Sequence, residues 1–511
     1  MTAADTSRAP AAEAYGALMA HVRRTAALAQ VRGLCEWDQE TMMPPAGADG
    51  RVEQVGALSA VLHAHRTDPR VGEWLSKVDD RELDERGRAN MRRVRRDFER
   101  ASRIPARLAE EIARTTSKAQ GVWAKARAAD DFAAFAPILE RVVALRREEA
   151  AVLTPSREAA GGADPYDALL DDYEPGMHTA DLAAMLDGLR PALVSLRERI
   201  AERENGPALS GRYDTRVQME VAGEICDAFG YSRERGRLDL STHPFSMGLG
   251  ADDVRITTRT DEADPFNCLY STAHEIGHAL YEQGLPGRGE PERALEPSAG
   301  YVSMGVHESQ SRLWENQIGR SRAFCEWLHP RMRFEGYDLS DADALYRCVN
   351  RVETGFIRTE ADEVHYNLHV MLRFDLERRL VAGTLEVADL EAAWNERFRR
   401  DFGLDVPRPS LGVLQDVHWS VGLFGYFPTY TLGNVFAAEL FAAMRADLGD
   451  IDAMCRAGEL SPVLDWLRKR IHRRGAHLPP MALMEEAIGH APTPAPLVEY
   501  LEAKFGALYD L

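Results

Sequence analysis

The sequence predicts a mainly α-helical fold, and three observations carry that reading. Apolar residues recur every three or four positions through most of the chain, only one segment alternates with period two, and the breaks between helical patterns are marked by Gly and Pro. With 511 residues, 45% of them apolar, the chain can bury a large core, as one unit or as two to three lobes. The organisation expected is a single domain, with a helical scaffold over 1–205 and a second part over 206–511 that carries His274-Glu275-Ile276-Gly277-His278.

In order, residues 12–33 read as an amphipathic Ala-rich helix closing near Gly33, and Trp37 to Pro45 as an extended or turning stretch fixed by its prolines. Helical patterns follow over about 51–66, 80–102, 105–127, 131–152 and 179–205. They are interrupted by Gly161-Gly162-Ala163-Asp164-Pro165 and by Glu174-Pro175-Gly176. The one strand signal is Val254–Arg259, where Val254, Ile256 and Thr258 alternate with Arg255, Thr257 and Arg259. As a short edge strand it could take up an extended peptide by strand addition; a structural hairpin fits the same pattern.

Next comes a helix with Asp264 as N-cap and Pro265 at its first position. Phe266, Leu269, Tyr270, Ala273, Ile276, Gly277 and Leu280 form its core-facing stripe, and Gly284 is placed to close it as the C′ residue. A Pro/Gly-rich surface loop is expected from Gly284 to Gly300, then a helix from Tyr301 to Arg320. Further helices follow near 340–354, 356–381, 387–402, 430–448, 459–473 and 494–508, which yields a strongly helical chain.

Composition excludes several classes. The net charge of −19 argues against nucleic-acid and anionic-membrane partners. The six cysteines are scattered with no CxxC pair, the usage of a reducing compartment. The first residues contain no apolar signal-like core and no run reaches about 18 apolar residues, so a cytoplasmic protein is expected.

The chemistry lies in His274-Glu275-Ile276-Gly277-His278. On a helix of 3.6 residues per turn, His274 and His278 project from one face, where two neutral imidazoles can reach one tetrahedral metal ion. Glu275, rotated by about 100°, lies beside such an ion and can take a proton from water there. A catalytic zinc needs a third protein ligand. Tyr281 and Gly284 stand where one known continuation would need Gly and His, so a carboxylate from a following segment is required. Glu290, Glu292 and Glu296 lie in the expected loop, a poor platform for a preorganised ligand. Glu308 sits near the start of the next helix and is preferred, with Glu315 as its competitor.

Several stretches together make the reading specific. HEIGHALYEQG is followed by His307-Glu308-Ser309-Gln310, and Asp253-Val254-Arg255-Ile256-Thr257 precedes it. Further on come Ile357-Arg358-Thr359-Glu360-Ala361-Asp362-Glu363 and Gly412-Val413-Leu414-Gln415-Asp416-Val417-His418-Trp419. With Trp37 to Pro44 and His243-Pro244-Phe245, these segments span most of the chain in order, and the sequence resembles the carboxypeptidase Taq family of metallocarboxypeptidases. Cys325, in place of an aromatic, and Thr260, where Tyr is common, are the departures, and neither is a proposed ligand.

The resemblance implies His274, His278 and Glu308 as metal ligands and Glu275 as general base. It also implies a saddle-like, gluzincin-type helical fold with a deep groove and a very small sheet beside the metal helix. Removal of single C-terminal residues with broad tolerance, a zinc ion with cobalt accepted, and a homodimer complete the expectation. Residue chemistry adds Tyr430 and His243 as donors for the tetrahedral oxyanion. Arg358, then Arg255, can hold the substrate's terminal carboxylate. His418 is a candidate substrate contact, and Asp362 or Asp416 a candidate partner for a ligand imidazole. An endo-oligopeptidase with the same metal chemistry and a catalytically silent helical binding protein are the alternatives; no GxMEN-type segment favours an aminopeptidase.

Overall fold

The computed structural model describes residues 3–154 and 162–511, with side chains from residue 11 onward; Gly161 of the expected Gly-rich break lies outside the described residues. The first helix, Ala3–Thr41, runs straight through Gly33 and Trp37, so it does not close where the glycine stands. Gly33 serves a close approach instead, since a Cβ there would meet the Leu249 side chain at 3.1 Å. The chain turns only at Met42 and Met43, whose amides return to the Asp38 carbonyl at 2.9 and 2.8 Å. Pro44 and Pro45 then prevent the helix from continuing.

Helices Ala48–Arg66, Pro69–Lys77 and Glu85–Arg103 follow. With the first helix, the last two of these enclose a small core around Leu18, Met19, Val71, Leu75 and Met91. The principal core is a second, continuous cluster that runs from Ala119 to Tyr509. Pro69–Lys77 and Thr215–Phe229 had no counterpart in the periodicity, yet ordinary signals bound them. Asp68 and Asp214 cap their first turns, and Gly230 closes the second at φ 84°.

The segment after the HExxH helix is not a plain surface loop. It contains a helical turn, Pro291–Ala294, and a 3₁₀ turn, Pro297–Ala299. Between them Glu296 is only 4% exposed and accepts hydrogen bonds from Arg23, Arg86 and Asn90. This carboxylate ties the N-terminal helices to the catalytic part, because a buried charge needs partners and finds them on two other helices. Pro and Gly mark where the backbone turns; they do not report exposure.

The sheet has three strands, β1 (Leu238–Leu240), β2 (Ser246–Gly248) and β3 (Val254–Thr258), in the order β1-β3-β2. β3 is parallel to β1 and antiparallel to β2, so the strand read from the sequence is central and cannot be the free edge. β1 and β2, with three residues each, are too short for alternation to reveal. The amides of Thr257 and Leu249 pair β3 with β2 through Phe245 and Asp253, so Ser246 and Gly248 direct their backbone groups outward.

In the C-terminal half the helices near the expected positions are Ala342–Val349, Leu390–Phe402, Pro428–Leu448, Ser461–Arg470 and Ala495–Tyr509. The helix expected from 356 begins instead at Glu363, because the Asp362 carboxylate caps the Val364 and His365 amides. Arg358 therefore stands on a preceding 3₁₀ turn, Arg358–Glu360. Among the described residues no helix is long and apolar enough to cross a membrane.

Candidate metal centre and active site

The HExxH helix spans Pro265–Gly284, capped by the Asp264 side chain on the Phe266 amide at 3.0 Å. Gly284 is its last helical residue and not a left-handed C′ residue; Leu285 follows at φ −62°. A Cβ on Gly284 would run into the His472 imidazole, so contact and not backbone conformation requires the glycine.

The expected helix from Tyr301 starts at Met304, after Ser303 caps the Val306 amide, and runs to Arg312. It continues as a π-helical segment, Leu313–Gly319. Two glycines let this helix approach its neighbours. A Cβ on Gly277 would collide with the Ser311 backbone and the Gln310 carbonyl, and one on Gly433 would collide with the Glu308 side chain. The close packing delivers Glu308 to the histidines. Gly277→Ala is expected to cost about 1–3 kcal/mol in denaturant unfolding through overpacking, and to weaken metal binding in parallel.

His274, His278 and Glu308 each offer one ligand atom, and these atoms all lie within 4.8 Å of one another. His274 Nε2 is 3.8 Å and His278 Nε2 3.5 Å from Glu308 Oε2. The Nδ1 atoms face away: that of His274 meets Glu315 Oε2 at 2.9 Å, and that of His278 meets His307 Nδ1 at 2.6 Å. Glu315, the competitor for third ligand, thus lies behind an imidazole, not beside the Nε2 atoms. Asp362 and Asp416 do not orient the ligand imidazoles; the first caps a helix and bonds His365, and the second pairs with arginines.

The electrostatics suit a cation. Burial opposes ionisation of Glu308, but Arg312, His274 and His278 outweigh it and hold the carboxyl far below its ordinary range. Burial pushes the His278 imidazole down to about 3, leaving it neutral with a free lone pair. Burial also opposes protonation of His274, yet Glu308 and Glu315 outweigh it and draw the imidazole upward, a mark of a negative pocket. Two nitrogen donors and one carboxylate are the protein donor set of a catalytic metal site, and the residues present fit such an ion. Glu275, 7% exposed, is pushed up to about 7 by burial.

A second cluster adjoins the first through Tyr366. The Arg312 guanidinium, bonded to Glu308 at 2.7 Å, lies 4.1 Å above the Tyr366 ring, and Arg358 donates to the Tyr366 hydroxyl at 3.3 Å. Arg358 and Arg373 both pair with Asp416, at 2.9 and 2.5 Å. Burial pushes the His418 imidazole down to about 4, so it adds no charge near neutral pH and the cluster keeps one positive charge in excess. Tyr430 lies under Arg358, with the guanidinium 4.9 Å from its ring centre. Its hydroxyl is 3.5 Å from His418 Nε2, and burial raises it so far that it keeps its proton.

Two candidates lie outside these clusters. Arg255 pairs with Asp253 at 2.8 Å and stacks over Trp37 at 4.5 Å. His243, on the exposed loop between β1 and β2, is engaged through its carbonyl, which accepts from Ser241. Sequence reasoning missed His307, Arg312, Tyr366 and the orienting role of Glu315. Glu282, one turn after His278, was open to the same i, i+4 reasoning.

Known proteins resemble this chain over nearly its whole length. The model of the carboxypeptidase Taq (M32) metallopeptidase family matches residues 17–505. The chain is 45% identical to thermostable carboxypeptidase 1 of Thermus thermophilus, over 97% of this chain and 99% of that one. It is 37% identical to thermostable carboxypeptidase 1 of Pyrococcus furiosus, over 96% and 97%. The M32 carboxypeptidase structure from Deinococcus radiodurans R1 superposes with a TM-score of 0.91 at 37% identity, covering 98% of this chain and all of that one. Metallocarboxypeptidase 1 of Trypanosoma cruzi superposes at 0.92 with 34% identity, covering 96% and 99%. A capped HExxH helix, a carboxylate wedged in beside it and an arginine cluster one tyrosine away are thus found in a chain that belongs to the carboxypeptidase Taq (M32) family of metallopeptidases, and the protein is a metallocarboxypeptidase.

Proposed function

We propose that the enzyme is zinc-dependent, that His274, His278 and Glu308 hold the ion, and that it removes single C-terminal residues from peptides with broad side-chain tolerance. The convergence of the two Nε2 atoms on the Glu308 carboxylate carries the reading. A cation bound there would supply Lewis-acid chemistry, polarising the scissile carbonyl and acidifying water. Glu275 accepts the proton of the attacking water and passes it to the leaving amine; a carboxyl raised by burial suits both steps. Tyr430 is the donor for the oxyanion, because it retains its proton and its hydroxyl makes only a long contact with His418 Nε2. His243 is not assigned that role, since it is exposed on the loop between β1 and β2 and is held there through its carbonyl.

Arg358 holds the terminal carboxylate. One aspartate cannot neutralise two buried arginines, so a substrate anion completes the charge balance. Arg255, occupied by Asp253 and Trp37, is not assigned it, and His418 contributes as a neutral contact beside Tyr430. The outward edge of β2, and not of β3, is the place where an extended peptide can add as a strand. The homodimer, the cytoplasmic location and the acceptance of cobalt rest on the sequence reading and its resemblance.

Arg358→Ala is expected to lower kcat/KM for free-carboxylate peptides by about 100-fold or more, as for a charge-assisted contact worth about 3 kcal/mol. C-terminally amidated peptides, cut poorly by the native enzyme, should lose little further. Equal losses on both substrates would remove Arg358 from the role, and efficient cleavage of amidated peptides by the native enzyme would favour an endo-oligopeptidase. Mass spectrometry of a peptide ladder, with and without a chelator, reads both outcomes.

A further inference from the structure

Behind His278 lies a chain of groups that the hydrolytic chemistry does not use. His278 Nδ1 faces His307 Nδ1 at 2.6 Å, and His307 Nε2 faces Glu282 Oε1 at 3.1 Å. The His307 ring is flanked by Tyr281 and Tyr301, with centroids at 5.3 and 5.0 Å, and its side chain is 12% exposed. Neither ring can turn freely, so the protons on the four ring nitrogens are interdependent.

We propose that Glu282 and His307 are positioning residues that select which nitrogen of His278 is presented to the metal, and that they couple this choice to the free edge of β2. Two Nδ1 atoms at hydrogen-bond distance share one proton: one donates and the other accepts. The Glu282 carboxylate only accepts, so it places the His307 proton on Nε2. His307 Nδ1 is then a bare acceptor, and the proton between the rings belongs to His278 Nδ1. That leaves His278 Nε2, the atom 3.5 Å from Glu308 Oε2, as the bare nitrogen. Without Glu282, His307 can carry its proton on Nδ1 and donate it to His278, which puts a proton on the nitrogen that must bind metal. The carboxylate two residues before the end of the helix thus controls an atom that it does not touch.

The coupling to the sheet comes from Gly248 on β2. A Cβ there would lie 2.8 Å from Glu282 Oε2 and 2.9 Å from its carboxyl carbon, so the carboxylate rests against an edge strand of the sheet. A displacement of Gly248 toward the helix would press on the Glu282 carboxylate.

This inference rests on His278 being a metal ligand, and the experiment separates the two. Zinc affinity of the full-length enzyme is measured by competition with a metallochromic chelator, for the native protein and for Glu282→Ala, Glu282→Gln and Gly248→Ala. Glu282→Ala and Gly248→Ala are expected to weaken binding by about 10–100-fold. Glu282→Gln, whose amide oxygen can still accept, should recover most of it. Histidine ring ¹⁵N spectra of the metal-free native protein should show the proton of His278 on Nδ1 and that of His307 on Nε2, a readout that stands even if a variant fails to fold. Native affinity in both Glu282→Ala and Gly248→Ala, or a His278 proton on Nε2 in the native spectrum, would overturn the proposal. A native protein that binds no zinc would overturn the metal assignment itself.

Discussion

Glu275→Gln is expected to lower kcat by about 10²–10⁴-fold while zinc content stays at that of the native enzyme. Gln fills the same volume beside the histidines but cannot take a proton, so chemistry fails and binding does not. The group is nearly inaccessible, and burial pushes it up to about 7. Its base form is lost as pH falls, so kcat/KM of the native enzyme should decline on the acid side. A bound cation favours the carboxylate and moves that limb below about 7. The same substitution should stabilise the metal-free protein at alkaline pH. The folded-state carboxyl is raised above its ordinary value, so native stability decreases as pH rises from about 4.5 to 7, and Gln removes this penalty. A variant that is less active yet melts higher when metal-free separates catalytic loss from misfolding. Activity unchanged within a few-fold would remove Glu275 from the mechanism.

Glu308→Ala is expected to abolish stoichiometric zinc and with it peptide hydrolysis, whereas Glu315→Ala should retain the metal with affinity reduced by about 10–100-fold. The contrast follows from where the two carboxylates stand. Glu308 Oε2 faces both Nε2 atoms, while Glu315 meets His274 at Nδ1. Glu308→Ala also removes a partner of Arg312, though Glu315 remains 3.3 Å from that guanidinium. Loss of folding in Glu308→Ala would therefore need a cause other than a stranded charge. Metal analysis of the purified variants decides the assignment, and the reverse pattern would exchange the two roles.

The candidate metal-binding face was legible because its geometry is local. A helix with an Asp cap, a proline at its first turn and histidines four apart needs no tertiary information to place two imidazoles side by side. The carboxylate beside the two histidines was legible as a residue but not as a position. Glu308 and Glu315 lie seven residues apart, two turns of a regular helix, and periodicity alone puts them on one face. The π-helical segment from Leu313 and the approach permitted by Gly277 and Gly433 decide which carboxylate meets the Nε2 atoms. Arg358 was found through its motif, yet its partners were not, because Asp416 and Tyr366 come from segments 58 and 8 residues away.

The glycines show the same division. Gly33 and Gly284 read as helix stops, since a glycine after an apolar stripe commonly is one. Each turned out to mark a neighbour pressed against the backbone, which nothing near it in the chain announces. The strand at Val254–Thr258 was visible, whereas its central position depends on two three-residue strands that carry no period of their own. Helix periodicity, the Asp264 cap and the pairing of His274 with His278 on one face were thus legible in the sequence alone, because short-range sterics and hydrogen bonding fix them. Which carboxylate faces the two Nε2 atoms, which partners the Nδ1 atoms meet and where two arginines share one aspartate were decided only by the tertiary structure, because each depends on distances between segments far apart in the chain.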